Sequence, residues 1–233
     1  MSFFEKQKFN PGLISIFFHP FFFIRKELFK FINTNSEVFF GKMLDFGGGS
    51  SPYKSRFKNI IEYISIEVES DKNNISTKLS YDGHKLPFTD NEFDSILCTE
   101  VLEHVNDVEE SLDELYRVLK PGGKLLVTTP FICVEHENPH DYRRFTMNGL
   151  KQIIKKKGFE IVSEKKLLNN INVIFQTINF YLVQLIGNGI FNKFRYILYP
   201  LFVGPINITS VLLNIIFPKI NELYFGSALI IKK

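Results

Sequence analysis

The ten residues from Glu135 to Arg144 hold two histidines, three carboxylates and two arginines. An inert connection does not need that density, because binding and catalytic groups concentrate on loops held by a rigid scaffold. A histidine ring oriented by a carboxylate can exchange a proton near neutral pH, which makes His136 a candidate base with Glu137 or Asp141 to orient it. Arg143 or Arg144 could grip a phosphate or sugar carboxylate of an acceptor through two parallel hydrogen bonds, with His140 beside them. The structural alternative is an Asp141–Arg144 pair that merely stiffens the loop. His136, Glu137, His140 and Asp141 are also metal-ligand types, but their spacing is not diagnostic of any ion and no metal is expected.

A second cluster lies earlier in the chain. Gly47-Gly48-Gly49 follows the short apolar run Lys42-Met43-Leu44-Asp45-Phe46. Glycine permits a tight turn and lets a ligand approach the backbone. Glu67 lies 22 residues after Asp45, near the end of the next apolar run, where a carboxylate can accept both hydroxyls of a ribose. The dinucleotide fingerprint G-x-G-x-x-G would need a third glycine where Pro52 stands, so a nicotinamide cofactor is disfavoured.

The elements that must position these groups follow from periodicity. Strands are expected at 42–46, 63–68, 76–81, 93–98, 124–129, around 159–163 and at 227–231. A helix is expected from Pro52 to Ile61 and another from 147 to 157. Asn106 with Glu109 has capping-box spacing for a helix whose stripe is Val108, Leu112, Leu115, Val118 and Leu119, stopped by Pro121-Gly122-Gly123. Alternating strands and helices argue for an α/β fold, a doubly wound and mainly parallel sheet of Rossmann-like type. Such sheets bind ligands beyond the carboxyl ends of their strands, where the glycine turn and the 130–146 loop both fall.

Five segments in register resemble one family. They are Leu44-Asp45-Phe46-Gly47-Gly48-Gly49, Asp82-Gly83-His84-Lys85-Leu86-Pro87-Phe88, Phe93-Asp94-Ser95-Ile96-Leu97, Val101-Leu102-Glu103-His104-Val105 and Leu119-Lys120-Pro121-Gly122-Gly123-Lys124-Leu125. Together they look like the type 11 domain of class I S-adenosylmethionine-dependent methyltransferases, over about residues 40 to 163. The family often has Cys where Gly48 stands, a change expected to be tolerated. The resemblance implies that Asp45, Gly47, Gly48 and Gly49 flank the methionine part of S-adenosylmethionine and that Glu67 takes the ribose. It implies Asp82 at the adenine amino group, Gly83 and Leu86 lining that pocket, and Cys98, Thr99 and Glu100 at the methionine end. Ser50-Ser51-Pro52-Tyr53 matches a variant of many relatives, with Tyr53 closing over the cofactor, and His104 would support its loop. The 135–146 loop is similar to a pattern in relatives linked to surface-glycan assembly. The expected reaction is therefore O-methylation of a sugar or lipid-linked glycan. The alternatives are a small-molecule or quinone-type acceptor, or a non-catalytic subunit that binds S-adenosylmethionine or docks on a membrane.

Composition divides the chain. Asp90 to Glu114 holds ten acidic residues and no Lys or Arg, Arg143 to Lys166 holds eight basic residues against two Glu, and Leu167 to Pro218 carries only Lys193 and Arg195. An acidic rim suits a sulfonium and an ammonium. The basic window has no aromatic platform beside it, so nucleic acid is not an expected partner. The expected domains are an N-terminal helical cap (1–40), a cofactor-binding core (41–166), a hydrophobic helical hairpin insert (167–222) and a final core strand (223–233). The uncharged stretch 167–218, flanked by Lys165, Lys166, Lys193, Arg195 and Lys219, is long enough to meet a bilayer but is interrupted by Asn, Gln and Pro. It is expected either to touch the membrane peripherally or to cap the site. Two cysteines and no signal-peptide pattern at the N-terminus point to a cytoplasmic location, on the inner face of the membrane if the insert touches lipid.

Overall fold

The computed structural model describes residues 7–69, 79–187 and 189–233. The chain forms two compact units. One comprises residues 32–131, 135–165 and 226–233, and the other residues 1–31, 132–134 and 166–225. Residues 32–40 thus fall with the core rather than with the N-terminal segment.

The first unit is built on a sheet of seven strands. These are β1 (Gly41–Phe46), β2 (Ile60–Val68), β3 (Leu79–Tyr81), β4 (Phe93–Thr99), β5 (Leu119–Pro130), β6 (Glu160–Leu167) and β7 (Gly226–Lys232). Their order is β3-β2-β1-β4-β5-β7-β6. The pairs from β3 to β5 are parallel, with Leu44 opposite Ile96 and Leu97 opposite Leu126, and β7 runs antiparallel to β5. The short apolar runs are buried: Met43, Leu44, Ile96, Leu125 and Leu126 have no exposed surface. Each such side chain contributes roughly 1.5–3 kcal/mol relative to an exposed one. Strand order reverses between β1 and β4, and the crevice at that switch point is where an open sheet binds its ligand.

Helix α1 spans Phe22–Asn35, α2 Val108–Val118 and α3 Met147–Lys156. The apolar stripe of α2 is buried at Val108, Leu112, Leu115 and Val118. Its N-cap is Asp107, whose carboxylate accepts from the Glu110 N–H, rather than the expected Asn106. Thr146 caps α3 by accepting from the Gly149 N–H. No α-helix joins β1 to β2. The expected helix there is one short 3-10 turn at Lys54–Arg56, and β2 already begins at Ile60, because Gly47 to Pro52 takes up the chain that a helix would need. Pro121-Gly122-Gly123 lies inside β5 rather than between elements. Of the third expected strand, residues 76–78 lie outside the described residues.

The opposite charges of the two windows meet in part. Lys156 pairs with Glu109 at 2.8 Å and Lys157 with Asp113 at 2.6 Å, joining α3 to α2. Such exposed pairs are individually worth about 0–1 kcal/mol, so they orient these helices more than they hold them.

The second unit contains α4 (Asn172–Gly187) and α5 (Arg195–Ile216). Its polarity is inverted. Asn172, Gln176, Asn179, Asn207 and Ser210 are buried. Asn179 donates to Asn207 at 2.8 Å, Ser210 to Asn172 at 2.8 Å and Gln176 to the Pro20 carbonyl at 2.7 Å. Val173, Phe180, Ile186 and Val203 are buried with them, but many apolar side chains face outward, with Ile197 69%, Leu212 58% and Ile215 79% exposed. The segment Phe191–Ile216 is long and apolar enough to cross a membrane by length and composition, with 22% of its apolar window buried.

Candidate functional site

At the carboxyl edge of β1, β2 and β4 lies a cleft of about 260 Å3. Gly47 and Gly49 form its floor, with positive φ of 67° and 51° that side chains other than glycine rarely adopt. A Cβ on Gly47 would overlap Val101, and one on Gly48 would overlap the Asp45 carboxylate and the Ser65 hydroxyl. A side chain at 48 would therefore have to displace those two groups. Glu67, at the end of β2, lines the cleft and accepts a hydrogen bond from the Gly49 N–H. Asp82 lines it too, its Oδ1 accepting from the His84 and Lys85 N–H groups at 2.9 and 3.0 Å, which holds its carboxyl below the ordinary range. Glu100 and Glu137 complete a rim of four carboxylates around the cleft. Both have positive φ, 55° and 56°. Backbone strain of this kind persists where the surroundings impose it, and it clusters at sites of function.

Several of the expected cofactor residues stand away from this cleft. Asp45 is buried beneath the turn, where the Tyr63 hydroxyl donates to its Oδ2 at 2.5 Å. Burial pushes its carboxyl up to about 6. Gly48, Tyr53, Leu86, Cys98 and Thr99 do not line the cleft; Tyr53, Leu86 and Cys98 are core residues. Leu86 donates its N–H to Glu114 at 2.8 Å. Ser50 lines a separate hollow with Ser51, Lys54 and Tyr63. The cleft thus gathers Gly47, Gly49, Glu67, Asp82, Gly83 and Glu100.

The loop after β5 reaches the other end. His140 and Glu137 line the cleft. His136 stands behind His104, their Nε2 atoms 3.2 Å apart. The Asp141 side chain has no exposed surface, accepts the His136 N–H at 2.8 Å and lies 3.3 Å from its Nδ1. It is the carboxylate that touches His136, whereas Glu137 lies 3.9 Å from His104. The two arginines correct the expected acceptor clamp. Arg144 grips both oxygens of Asp141 at 2.5 and 2.6 Å, which holds that carboxyl down at about 2. The Arg143 guanidinium donates to the carbonyls of Leu102, Val105 and Asn106. Both guanidiniums thus brace the loop.

Sequence reasoning passed over Glu103 and gave His104 only a supporting part. His104 does support its loop, with Nδ1 2.8 Å from the His140 carbonyl oxygen, but it also forms a wall of the cleft. Glu103 has no exposed surface, and neither carboxylate oxygen has a hydrogen-bond partner among the described residues. Burial and the nearby Glu100 charge push it well above the ordinary carboxyl range. Its signal in sequence was only its place beside His104, and every acidic residue of that window looked alike.

The cleft suits S-adenosylmethionine. A carboxylate rim attracts a cation, glycine backbone admits close approach, and Glu67 sits where a ribose diol would be taken.

A family model described as a methyltransferase domain matches residues 44–127. The ubiquinone/menaquinone biosynthesis C-methyltransferase UbiE of Haemophilus ducreyi is 32% identical over 103 residues, 37% of this chain and 40% of that protein. UbiE of Psychromonas ingrahamii is 34% identical over 103 residues, 37% of this chain and 41% of that protein. The chain thus spans about two fifths of the length of these curated relatives. Among solved structures, phosphoethanolamine N-methyltransferase 2 of Haemonchus contortus, in complex with S-adenosylmethionine, has a TM-score of 0.58 at 16% identity, covering 99% of this chain and 56% of that one. The [4+2]-cyclase SpnF has a TM-score of 0.57 at 19% identity, covering 90% and 81%. These two show a shared fold, and SpnF carries a different chemistry in its name. Residues 44–127 thus match a methyltransferase domain, on a sheet whose order and glycine turn are those of a Rossmann-like fold shared with solved methyltransferases.

Proposed function

We propose that the chain transfers a methyl group from S-adenosylmethionine to a hydroxyl-bearing acceptor carried in a membrane. The observation that carries this reading is one continuous cleft, with the glycine turn and Glu67 at one end and His104, Glu137 and His140 at the other. When bound, S-adenosylmethionine supplies a methyl already activated by its sulfonium. The protein's part is then to bind, align and exclude water. Glu67 would hold the ribose, the glycine backbone and Glu100 the methionine end, and Gly83 and Asp82 the adenine side. The acceptor hydroxyl would lie beside the histidines and give its proton to Glu137, or to His136 where that ring's Nε2 is available, with Asp141 fixing the His136 ring. Isothermal titration should show one S-adenosylmethionine site, weakened at least tenfold in Glu67→Ala. Absence of binding would remove this reading.

For the acceptor, a sugar hydroxyl of a lipid-linked glycan is the first reading, and a quinol-type ring is the second. The UbiE relatives favour the second. Their match covers 37% of this chain, however. The membrane part of the proposal rests on the inverted hairpin. Polar groups hydrogen-bonded inside and a largely apolar exposed face is an arrangement that lipid rewards and water penalises. Vesicles containing anionic lipid should float the protein, and protein that stays in the soluble fraction would contradict lipid contact. A chain bound at the inner face of the membrane would have access to cytoplasmic S-adenosylmethionine.

A further inference from the structure

The histidine pair poses a question of charge. The His140 carbonyl can only accept, so the facing His104 Nδ1 carries a hydrogen. The Asp141 carboxylate, 3.3 Å from His136 Nδ1, favours a hydrogen there too. Both Nε2 atoms then present lone pairs to each other at 3.2 Å. Two lone pairs at that distance repel unless something positive lies at them, either one shared proton or a cation. Glu103 decides between these. Its Oε1 lies 3.7 Å from His104 Nε2, and one ligand atom from each of Glu103, His104 and His136 falls within 4.8 Å of the others. A proton between the rings would leave both buried Glu103 oxygens without a partner, whereas a cation satisfies all three groups.

We propose that Glu103, His104 and His136 bind a divalent first-row transition-metal ion, zinc by the character of the donors. Ligands around tetrahedral zinc stand roughly 3.3 Å apart at its usual bond lengths, close to the 3.2 and 3.7 Å separations here. Two imidazoles and one carboxylate suit zinc, iron or cobalt rather than magnesium or calcium. Both rings are held from behind, His104 by a carbonyl and His136 by a carboxylate, as histidine ligands commonly are. Three protein ligands leave a position for water or for an acceptor hydroxyl. The use of the ion in catalysis rests on the methyltransferase reading, but its binding does not.

The test is calorimetric titration of chelator-treated, full-length protein with Zn2+, together with the visible absorption of the Co2+ form. The expected result is one ion per chain, abolished in Glu103→Gln and in His136→Ala. Binding should weaken about 10–100-fold in Asp141→Asn, which loses only the support behind His136, and stay unchanged in His84→Ala. Zinc should raise the melting temperature of the wild type but not that of Glu103→Gln, a comparison that holds even if one variant is less stable. No saturable binding, or binding that survives both Glu103→Gln and His136→Ala, overturns the proposal. S-adenosylmethionine binding is measured on the zinc-free protein in parallel. Its absence would count against the methyltransferase reading alone, and intact cofactor binding without zinc binding would sink only the metal site.

Discussion

Asp45 is a carboxylate whose burial favours its neutral form. Burial raises it from the ordinary 3.8 to about 6 in the folded chain, against the lowering effect of the Tyr63 and Ser51 hydroxyls. Between pH 4 and 6 the folded state therefore holds a proton that the unfolded state has released, and stability falls as pH rises through that window. The full effect is about 3 kcal/mol. Urea midpoints from pH 4 to 8 should show a smaller decline for Asp45→Asn than for the wild type, and parallel curves would contradict the assignment. Gly48 offers a companion test. A Cβ there meets Asp45 and Ser65, so Gly48→Ala should cost about 1–3 kcal/mol of stability and weaken S-adenosylmethionine binding. These residues were legible as a glycine turn with acidic company. Their division of labour was not, because sequence does not show that Asp45 turns under the loop while Glu67 turns towards the cleft.

At the scale of elements, what sequence could reach depended on how local the cause was. The strands β1, β4 and β5 stood out as short apolar runs bounded by turn residues, and α2 stood out by its stripe. The absent helix between β1 and β2 did not, since Lys54 to Ile61 has an acceptable helical composition and only the pairing of Ile60 with Gly41 decides otherwise. The cap of α2 shifted by one residue because two adjacent residues, Asn106 and Asp107, can both cap. Asp107→Ala should cost about 1 kcal/mol, read from chemical denaturation. The hairpin was the hardest to read. Its Asn and Gln residues argued against a bilayer when taken one at a time, yet the structure pairs them with one another and with the chain near Pro20. Asn179→Ala should leave the Asn207 amide oxygen without its donor and cost about 1–3 kcal/mol.

For the whole molecule, composition divides between a sheet-based unit and a helical unit with many of its apolar side chains outward. The sheet unit carries every residue assigned here to cofactor and acid–base work. The brace of Arg143, Arg144 and Asp141 in that unit fixes the loop, so the two guanidiniums expected to clamp the acceptor are engaged within the protein. The central claim is methyl transfer, and it is tested most directly by incubating the purified chain with methyl-labelled S-adenosylmethionine and a fractionated cell envelope. The account predicts label in a lipid-extractable acceptor, lost in Glu67→Ala and in His136→Ala. Protein that binds the cofactor yet labels nothing in envelope or cytosol would contradict it.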